Sequence, residues 1–99
     1  MARTEDPRIK LTLYRKRIDA IDRKLLALLN QRGRIAQKIG VVKKDYSLPV
    51  VEPSREQQVV AQMIAANTGP LPADSVERIF AGVMIEMRNL QRERSEGND

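Results

Sequence analysis

Six polar side chains along this chain have the types and spacing to bind a small molecule with at least two negative charges. Four are cations, one is a carboxylate and one is an amide: Arg15, Arg32, Lys43, Arg55, Glu56 and Gln91. Arginine binds carboxylates through paired hydrogen bonds, and lysine supplies a compact charge and a donor. Because the chain has no Cys and no His, it has no thiol nucleophile, imidazole base or soft metal site. Its chemistry must run on Arg, Lys, Glu, Asp, Gln and backbone groups.

Arg32 interrupts an apolar stripe on a predicted helix. The apolar positions around it step by three and four residues and are Ile18, Ile21, Leu25, Leu28, Ile35, Ile39 and Val42. This spacing predicts one buried helical face. A buried, unpaired guanidinium is costly, so we expect an anion beside Arg32, either from the protein or from a ligand. Taken alone, Arg32 is equally well explained by an internal salt bridge or by a side chain that reaches solvent past the stripe.

Lys43 is predicted to face the same groove as Arg32. It follows Arg32 by eleven residues, so at about 100° per residue the two side chains lie within about 20° of each other around the helix. Taken alone, Lys43 is also explained as a solvated lysine that complements the dipole at a helix end. Gln91 follows Met87 by four residues on the inner face of a predicted third helix. Its amide is therefore expected inside as well, where most amides have a structural role.

The remaining three residues also have surface explanations. Arg15 precedes Arg32 by seventeen residues, which is about 100° around the helix, so it cannot share that groove within one chain. Across a dimer interface, however, it could reach the partner's groove. Arg55 and Glu56 begin the second helix, where side chains and free backbone N–H groups face the helix entrance. A first-turn acid and its solvated neighbour would look the same in the sequence.

Composition limits the class of protein. The 99 residues have 41% hydrophobic content, which is typical of one folded domain, and a net charge of +5. Basic and acidic residues are interleaved and aromatic residues make up only 3%, so we expect no nucleic-acid partner. No apolar run has the length of a signal peptide core or a membrane span. We therefore expect a soluble cytoplasmic protein without membrane contact.

Three helices account for nearly all of the chain, and no segment alternates like a strand. They are predicted over about residues 8–44, from Pro53 to Asn67, and from Pro72 into a polar tail at Ser95 to Asp99. We expect an all-α protein with a single domain over residues 1–99, whose core covers about residues 8–94.

The predicted length of the first helix indicates a dimer. Such a helix would span about 55 Å, whereas a compact monomer of this size has a radius of gyration of about 13 Å. Two short helices of the same chain cannot cover it. We therefore infer a homodimer in which the long helices of two chains run beside each other.

At these residues the chain resembles the all-helical chorismate mutases. The resemblance extends from about Leu13 to Gln91 and rests on RKRIDAIDRKLLALLNQR (15–32), IAQKIGVVKK (35–44), PVVEPSRE (49–56), NTGPL (67–71) and IFAGVMIEMRNLQ (79–91). It implies a three-helix protomer with a very long first helix, intertwined with a second copy as a homodimer. It also implies the conversion of chorismate to prephenate in aromatic amino-acid biosynthesis, a unimolecular Claisen rearrangement that needs no cofactor.

The resemblance assigns roles to the charged residues. Arg32 would bind a substrate carboxylate, and Arg15 would do so from the opposite subunit. Lys43 and Gln91 would flank the ether oxygen, where negative charge grows as the C–O bond stretches. A pericyclic step needs no nucleophile and no proton transfer, so the absence of Cys and His fits this chemistry. The enzyme must hold the flexible substrate in a reactive conformer.

The second helix would complete the pocket by the same resemblance. Glu56 would accept the ring hydroxyl, with Arg55 beside it, and Glu52 would line the same side. Three positions depart from the family pattern, and one of them is Tyr14, which stands where aliphatic residues are frequent. Met87 stands where related chains often carry a small or polar side chain, so one pocket wall would be narrower or more apolar. Gly33 replaces a bulkier helix former.

Other functions are compatible with parts of this pattern. The fold also resembles 4-amino-4-deoxychorismate mutases, whose substrate carries an ammonium that Glu56 could pair with, and isochorismate-pyruvate lyases, which the full polar set disfavours. A non-catalytic helical dimer, such as a regulatory or anion-binding module, would have no reason to keep Arg32 together with Lys43 and Gln91. Docking onto a larger enzyme of the shikimate pathway is compatible with all the enzymatic alternatives.

Overall fold

The chain forms three α-helices and no strand over the residues described by the computed structural model, 6–96, with side chains to residue 93. The helices are α1 (Pro7–Asp45), α2 (Pro53–Ala66) and α3 (Ala73–Glu96). The prediction of an all-α, three-helix chain is confirmed for this range. The end of the predicted polar tail, residues 97–99, lies outside the described residues.

Local signals explain where the helices begin and end. The carboxylate of Asp6 accepts a hydrogen bond from the backbone N–H of Arg8 at 2.9 Å, which caps α1. α1 ends in a turn where Ser47 has a positive φ of 55°. Pro53 occupies the first turn of α2, where its missing N–H costs nothing. Between α2 and α3, Asn67 braces the turn by accepting from the Gly69 N–H at 3.0 Å.

Two compact units divide the chain, the first ending at Arg32 and the second beginning at Gly33. α1 is continuous across this boundary. In the first unit, no described residue is buried. The second unit contains the rest of α1 with α2 and α3, and α2 packs along α3. The single domain over residues 1–99 stays a prediction.

The core of the second unit is small and lies between short side chains of α1 and apolar side chains of α2 and α3. Its buried hydrophobic residues are Ala36, Val59, Val76, Met84 and Met87. Three of the α1 residues that face this core are Gly33, Ala36 and Gly40. A Cβ atom at Gly33 would lie 2.9 Å from Cδ1 of Leu90, so the absence of a side chain at this position lets α3 approach closely.

The predicted apolar stripe of α1 is not buried within the chain. Its members Ile18, Leu25 and Leu28 are 55%, 53% and 61% exposed, and Ile35 is 55% exposed. Residues of the same chain therefore do not bury this face, and its burial against a second copy stays a prediction. The chain's own helices cover the small-residue face instead, because small residues allow helices to approach closely. None of the described helices is long and apolar enough to span a membrane.

Candidate active site

Among the residues that the structure describes, Lys43 is the charged residue that is buried, with 6% of its surface exposed. Its ammonium donates to the carbonyl oxygen of Val50 at 2.7 Å and to Oε1 of Gln91 at 2.7 Å. The same nitrogen lies 2.7 Å from Oε1 of Glu52. An ammonium has three N–H donors, and three acceptors surround this one. The explanation of Lys43 as a solvated helix-end lysine is therefore wrong.

The acceptors of Lys43 come from two separate parts of the chain. Val50 and Glu52 lie in the connection between α1 and α2, and Gln91 is on α3. Such an arrangement offsets the cost of taking the charge out of water, which a single partner would not do. Lys43 thus fixes the position of a cation where the last turn of α1 meets the start of α2 and the end of α3.

Gln91 is partly buried, as expected for an amide on the inner face of α3. Because its Oε1 accepts from Lys43, its amide nitrogen carries the two donors. The pair therefore presents an ammonium and a neutral N–H donor side by side. These two groups are suited to stabilise a negatively charged oxygen.

Glu52 is the most accessible partner of Lys43. Its side chain is 51% exposed, against 7% for that of Lys43. It occupies the position before the first turn of α2, but its side chain does not cap that helix. The Val50 carbonyl is held by the backbone and Gln91 by α3, whereas the half-exposed carboxylate can rotate into water. Glu52 is thus the acceptor that an incoming anion displaces at the lowest cost.

Glu56 and Arg88 form a second charged pair across α2 and α3. Nε of Arg88 lies 3.1 Å from Oε2 of Glu56, and the two side chains are 27% and 25% exposed. The Nε–H is buried and, within the described residues, meets no acceptor in hydrogen-bond geometry. The contact with Glu56 is therefore a charge pair by distance, not an aligned hydrogen bond. Glu56 was predicted to accept a ligand hydroxyl, and the structure shows a cation beside it.

Arg88 is a residue that the sequence analysis missed. Its position three residues before Gln91 places it one helical turn away from the predicted site residue. That spacing was a usable signal. However, nothing in the local sequence distinguishes Arg88 from the other arginines near the end of α3.

Arg55 and Met87, the two other predicted site residues of the second unit, differ in burial. Arg55 is exposed and donates from Nη1 to Oε1 of its neighbour Gln58 at 2.8 Å. Met87 is 6% exposed and belongs to the core. The structure does not place either of them in the Lys43 cluster, so their roles along a substrate pocket stay predictions.

Arg15 and Arg32 belong to the first unit. Arg15 is exposed, and Arg32, the last residue of that unit, is partly exposed. Their convergence with the cluster around Lys43 stays a prediction.

An open groove of about 410 Å³ runs between α2 and α3. Apolar side chains line it, among them Val60, Ile64 and Met84, and both Glu56 and Arg88 face it. The charged pair is therefore accessible to a small molecule. Among the described residues, no group of acidic side chains is suited to hold a metal ion.

Comparison with known proteins found similar sequences and a similar solved structure. The family model for chorismate mutase type II matches residues 14–92. A bifunctional chorismate mutase/prephenate dehydratase of Neisseria gonorrhoeae is 40% identical over 79 residues, which cover 80% of this chain and 21% of the relative. The chain thus spans about a fifth of the length of that relative. A chorismate mutase of Methanocaldococcus jannaschii is 36% identical over 50 residues, or 50% of each chain.

A solved structure shares the fold. The chorismate mutase of Thermus thermophilus, in its form II, superposes with a TM-score of 0.84 and 30% sequence identity. The match covers 86% of this chain and 97% of the solved chain. Since the family model covers most of the chain and includes Lys43, Glu56 and Gln91, this protein belongs to the chorismate mutase type II family.

Proposed function

We propose that this chain is an isomerase that converts chorismate to prephenate, acting as a homodimer. The observation that carries the proposal is the hydrogen bond between Lys43 and Gln91, 2.7 Å long, with the ammonium almost fully buried. In the rearrangement, negative charge develops on the ether oxygen while the C–O bond breaks. A fixed ammonium and an amide N–H stabilise that charge without having to reorient during the reaction. Such preorganised electrostatic stabilisation is usually the largest contribution to enzymatic rate enhancement.

The cluster around Lys43 also explains how the substrate, which carries two carboxylates, would bind. The three N–H donors of the Lys43 ammonium already have three acceptors in the protein. One acceptor must leave before the substrate can take a donor, and the half-exposed Glu52 is the one free to do so. In this scheme Arg32 binds one carboxylate, and Arg15 contributes from the partner subunit. Glu56 accepts the ring hydroxyl.

The dimer is supported by the first unit. None of its described residues is buried, and apolar side chains such as Ile21, Leu25 and Leu28 are each more than half exposed. Isolated helical segments are marginal in water, and an exposed apolar stripe needs a cover. A second copy of this chain provides an identical stripe. We therefore expect sedimentation to show a dimer at micromolar concentration, and a well-folded monomer would contradict it.

The names of the relatives support a proposal about the metabolic pathway in which this chain acts. The Neisseria relative joins a chorismate mutase to a prephenate dehydratase in one chain. We propose that the present chain acts in the same aromatic amino-acid pathway, in the cytoplasm, and that it is able to dock onto another enzyme of that pathway. A pull-down with prephenate-consuming enzymes of the same organism tests this docking.

The deciding experiment follows chorismate absorbance after the purified protein is added and identifies the product by chromatography. Wild type should produce prephenate, and Lys43→Met should lose about 10²- to 10³-fold in kcat, as expected for removal of one preorganised donor. Lys38→Met is the matched control, because Lys38 is an exposed lysine of the same helix. No turnover by a folded wild-type dimer would refute the proposal.

A further inference from the structure

The Glu56–Arg88 pair lies one turn away from the cluster around Lys43. Glu56 follows Glu52 by four residues along α2, and its backbone N–H donates to the Glu52 carbonyl at 3.0 Å. Arg88 precedes Gln91 by three residues along α3. The Glu56–Arg88 pair therefore links α2 to α3, about one helical turn from the place where Lys43 of α1 contacts Glu52 and Gln91. A small molecule held at Lys43 and Gln91 would reach the Glu56–Arg88 pair by extending about one turn along α2 and α3.

We propose that Arg88 is a specificity-determining residue that makes this site select a hydroxyl, and not an ammonium, on the substrate ring. This inference rests on the proposed function, since it assumes that Glu56 receives the ring substituent. It distinguishes chorismate from 4-amino-4-deoxychorismate, which differ at that substituent.

The positive charge of Arg88 is the first reason to expect that the site prefers a ring hydroxyl to an ammonium. A carboxylate that is three-quarters buried and without a cation would attract an ammonium strongly, because the surrounding medium screens it less than water does. In this protein the cation of Arg88 already lies 3.1 Å from Oε2 of Glu56. A ligand ammonium on Glu56 would meet a compensated carboxylate and a nearby positive charge. Repulsion between like charges is an effective means of rejecting a wrong ligand.

Hydrogen bonding supports it independently. A hydroxyl is both a donor and an acceptor, whereas an ammonium only donates. The ring hydroxyl can donate to Glu56 and accept from the guanidinium of Arg88. The Arg88 Nε–H is itself buried, so the hydroxyl would accept from the other nitrogens of the guanidinium. An ammonium in the same place has no lone pair with which to accept from them.

The geometry leaves room for this contact. Arg88 approaches Oε2 of Glu56, so lone pairs on Oε1 can accept the hydroxyl proton. Both side chains also line the open groove between α2 and α3 and are therefore reachable by a ligand.

The test compares kcat/KM for chorismate and for 4-amino-4-deoxychorismate in wild type and in Arg88→Met, which keeps an unbranched side chain and removes the charge. We expect the ratio of the two values to shift toward the amine by about tenfold or more, which corresponds to about 1.4 kcal/mol. Arg88→Lys keeps a cation and should retain the preference for chorismate. Arg78→Met is the control, because Arg78 also pairs with an acid on α3 but both side chains are about 70% exposed.

The outcomes separate the inference from the function. An unchanged ratio of the two kcat/KM values in a folded Arg88→Met, or an equal loss of kcat/KM on both substrates, would overturn the inference. Arg88 would then have only a structural role. If Arg88→Met does not fold, Arg88→Gln replaces it, since that variant keeps donors without the charge. If wild type turns over neither molecule, the proposed function fails. Calorimetric titration of the same two molecules then decides the inference, and a binding preference that is equal in wild type and variant overturns it.

Discussion

The ammonium of Lys43 donates to the amide oxygen of Gln91 at 2.7 Å, and this bond decides which end of the amide is available to a ligand. With its oxygen engaged, Gln91 offers N–H donors. Lys43 thus orients the amide of Gln91, and under the proposed function both groups donate to the same ligand oxygen.

Replacing the amide of Gln91 with a carboxyl should make activity depend on pH. Wild type needs no titrating group at this position, so we expect its kcat/KM to stay flat from mildly acidic to mildly basic pH. In Gln91→Glu, the ionised carboxylate would repel the negative charge on the ether oxygen, and only its protonated form would donate. Activity of the variant should therefore rise as pH falls. Rate profiles of both proteins check this, and a steep acid requirement in wild type would show that another group does this work.

Removing the charge of Glu52 should tighten substrate binding. In Glu52→Gln, the substrate no longer competes with a carboxylate 2.7 Å from the Lys43 ammonium. We expect KM to fall by about three- to tenfold, or ~1 kcal/mol, since the Glu52 carboxylate is half exposed and therefore partly screened by water. The value of kcat should change little. Glu86→Gln, an exposed acid of α3, is the control for net charge. A higher KM in Glu52→Gln would instead make Glu52 a direct substrate ligand.

Mixing two inactive variants should restore activity if Arg15 acts across the dimer. Arg15→Ala and Lys43→Met each disable every site of their own homodimer. A mixed dimer has one site with both residues intact, so random exchange should recover about one quarter of wild-type activity. The measurement is chorismate turnover after the two proteins are unfolded and refolded together. Separately refolded proteins, combined afterwards and assayed before subunits exchange, are the control. No recovery would place Arg15 in the site of its own chain or outside it.

Gly33 should tolerate a methyl group but not a branched side chain. A Cβ there would lie 2.9 Å from Cδ1 of Leu90, the end of a flexible side chain that can rotate. The gain in helix propensity of up to about 1 kcal/mol should therefore roughly cancel the crowding in Gly33→Ala. Gly33→Val should lose about 1–3 kcal/mol through overpacking.

The control for Gly33 is Gly82→Ala on α3, where a new Cβ meets nothing within 4 Å. This variant should gain up to about 1 kcal/mol. Chemical unfolding at one fixed protein concentration compares all three variants, since dimer stability depends on concentration. Equal stability of Gly33→Val and wild type would contradict the close approach of α3 to α1.

The sequence by itself determined the helices and the family. Proline at the start of α2 and the turn between α2 and α3 are local signals, and the helix bounds follow from them because such preferences act within a few residues. The polar residues also keep a spacing that marked Lys43 and Gln91 before any contact was known. The sequence and the resemblance predicted that both side chains point into one site, but not the direct hydrogen bond between them.

Only the tertiary structure decided which face of α1 the chain covers for itself. Helical periodicity reports that Ile18 and Leu25 share a face, but it does not say which molecule covers that face. Gly33 and Gly40 carry no hydropathy signal, yet small residues are what allow another helix to approach. Periodicity therefore predicted that the apolar stripe is buried, and the structure shows that residues of the same chain leave it exposed.

The same limit explains the residue that was missed. The proposed role of Arg88 depends on its contact with Glu56, which lies thirty-two positions earlier in the chain. Nε of Arg88 comes within 3.1 Å of Oε2 of Glu56 only when α2 packs along α3. A charge pair of this kind depends on the register between two helices, and that register is set by the fit of side chains such as Val59 and Met84 in the core. Sequence spacing describes one helix at a time, so it could identify Glu56 but not the cation beside it.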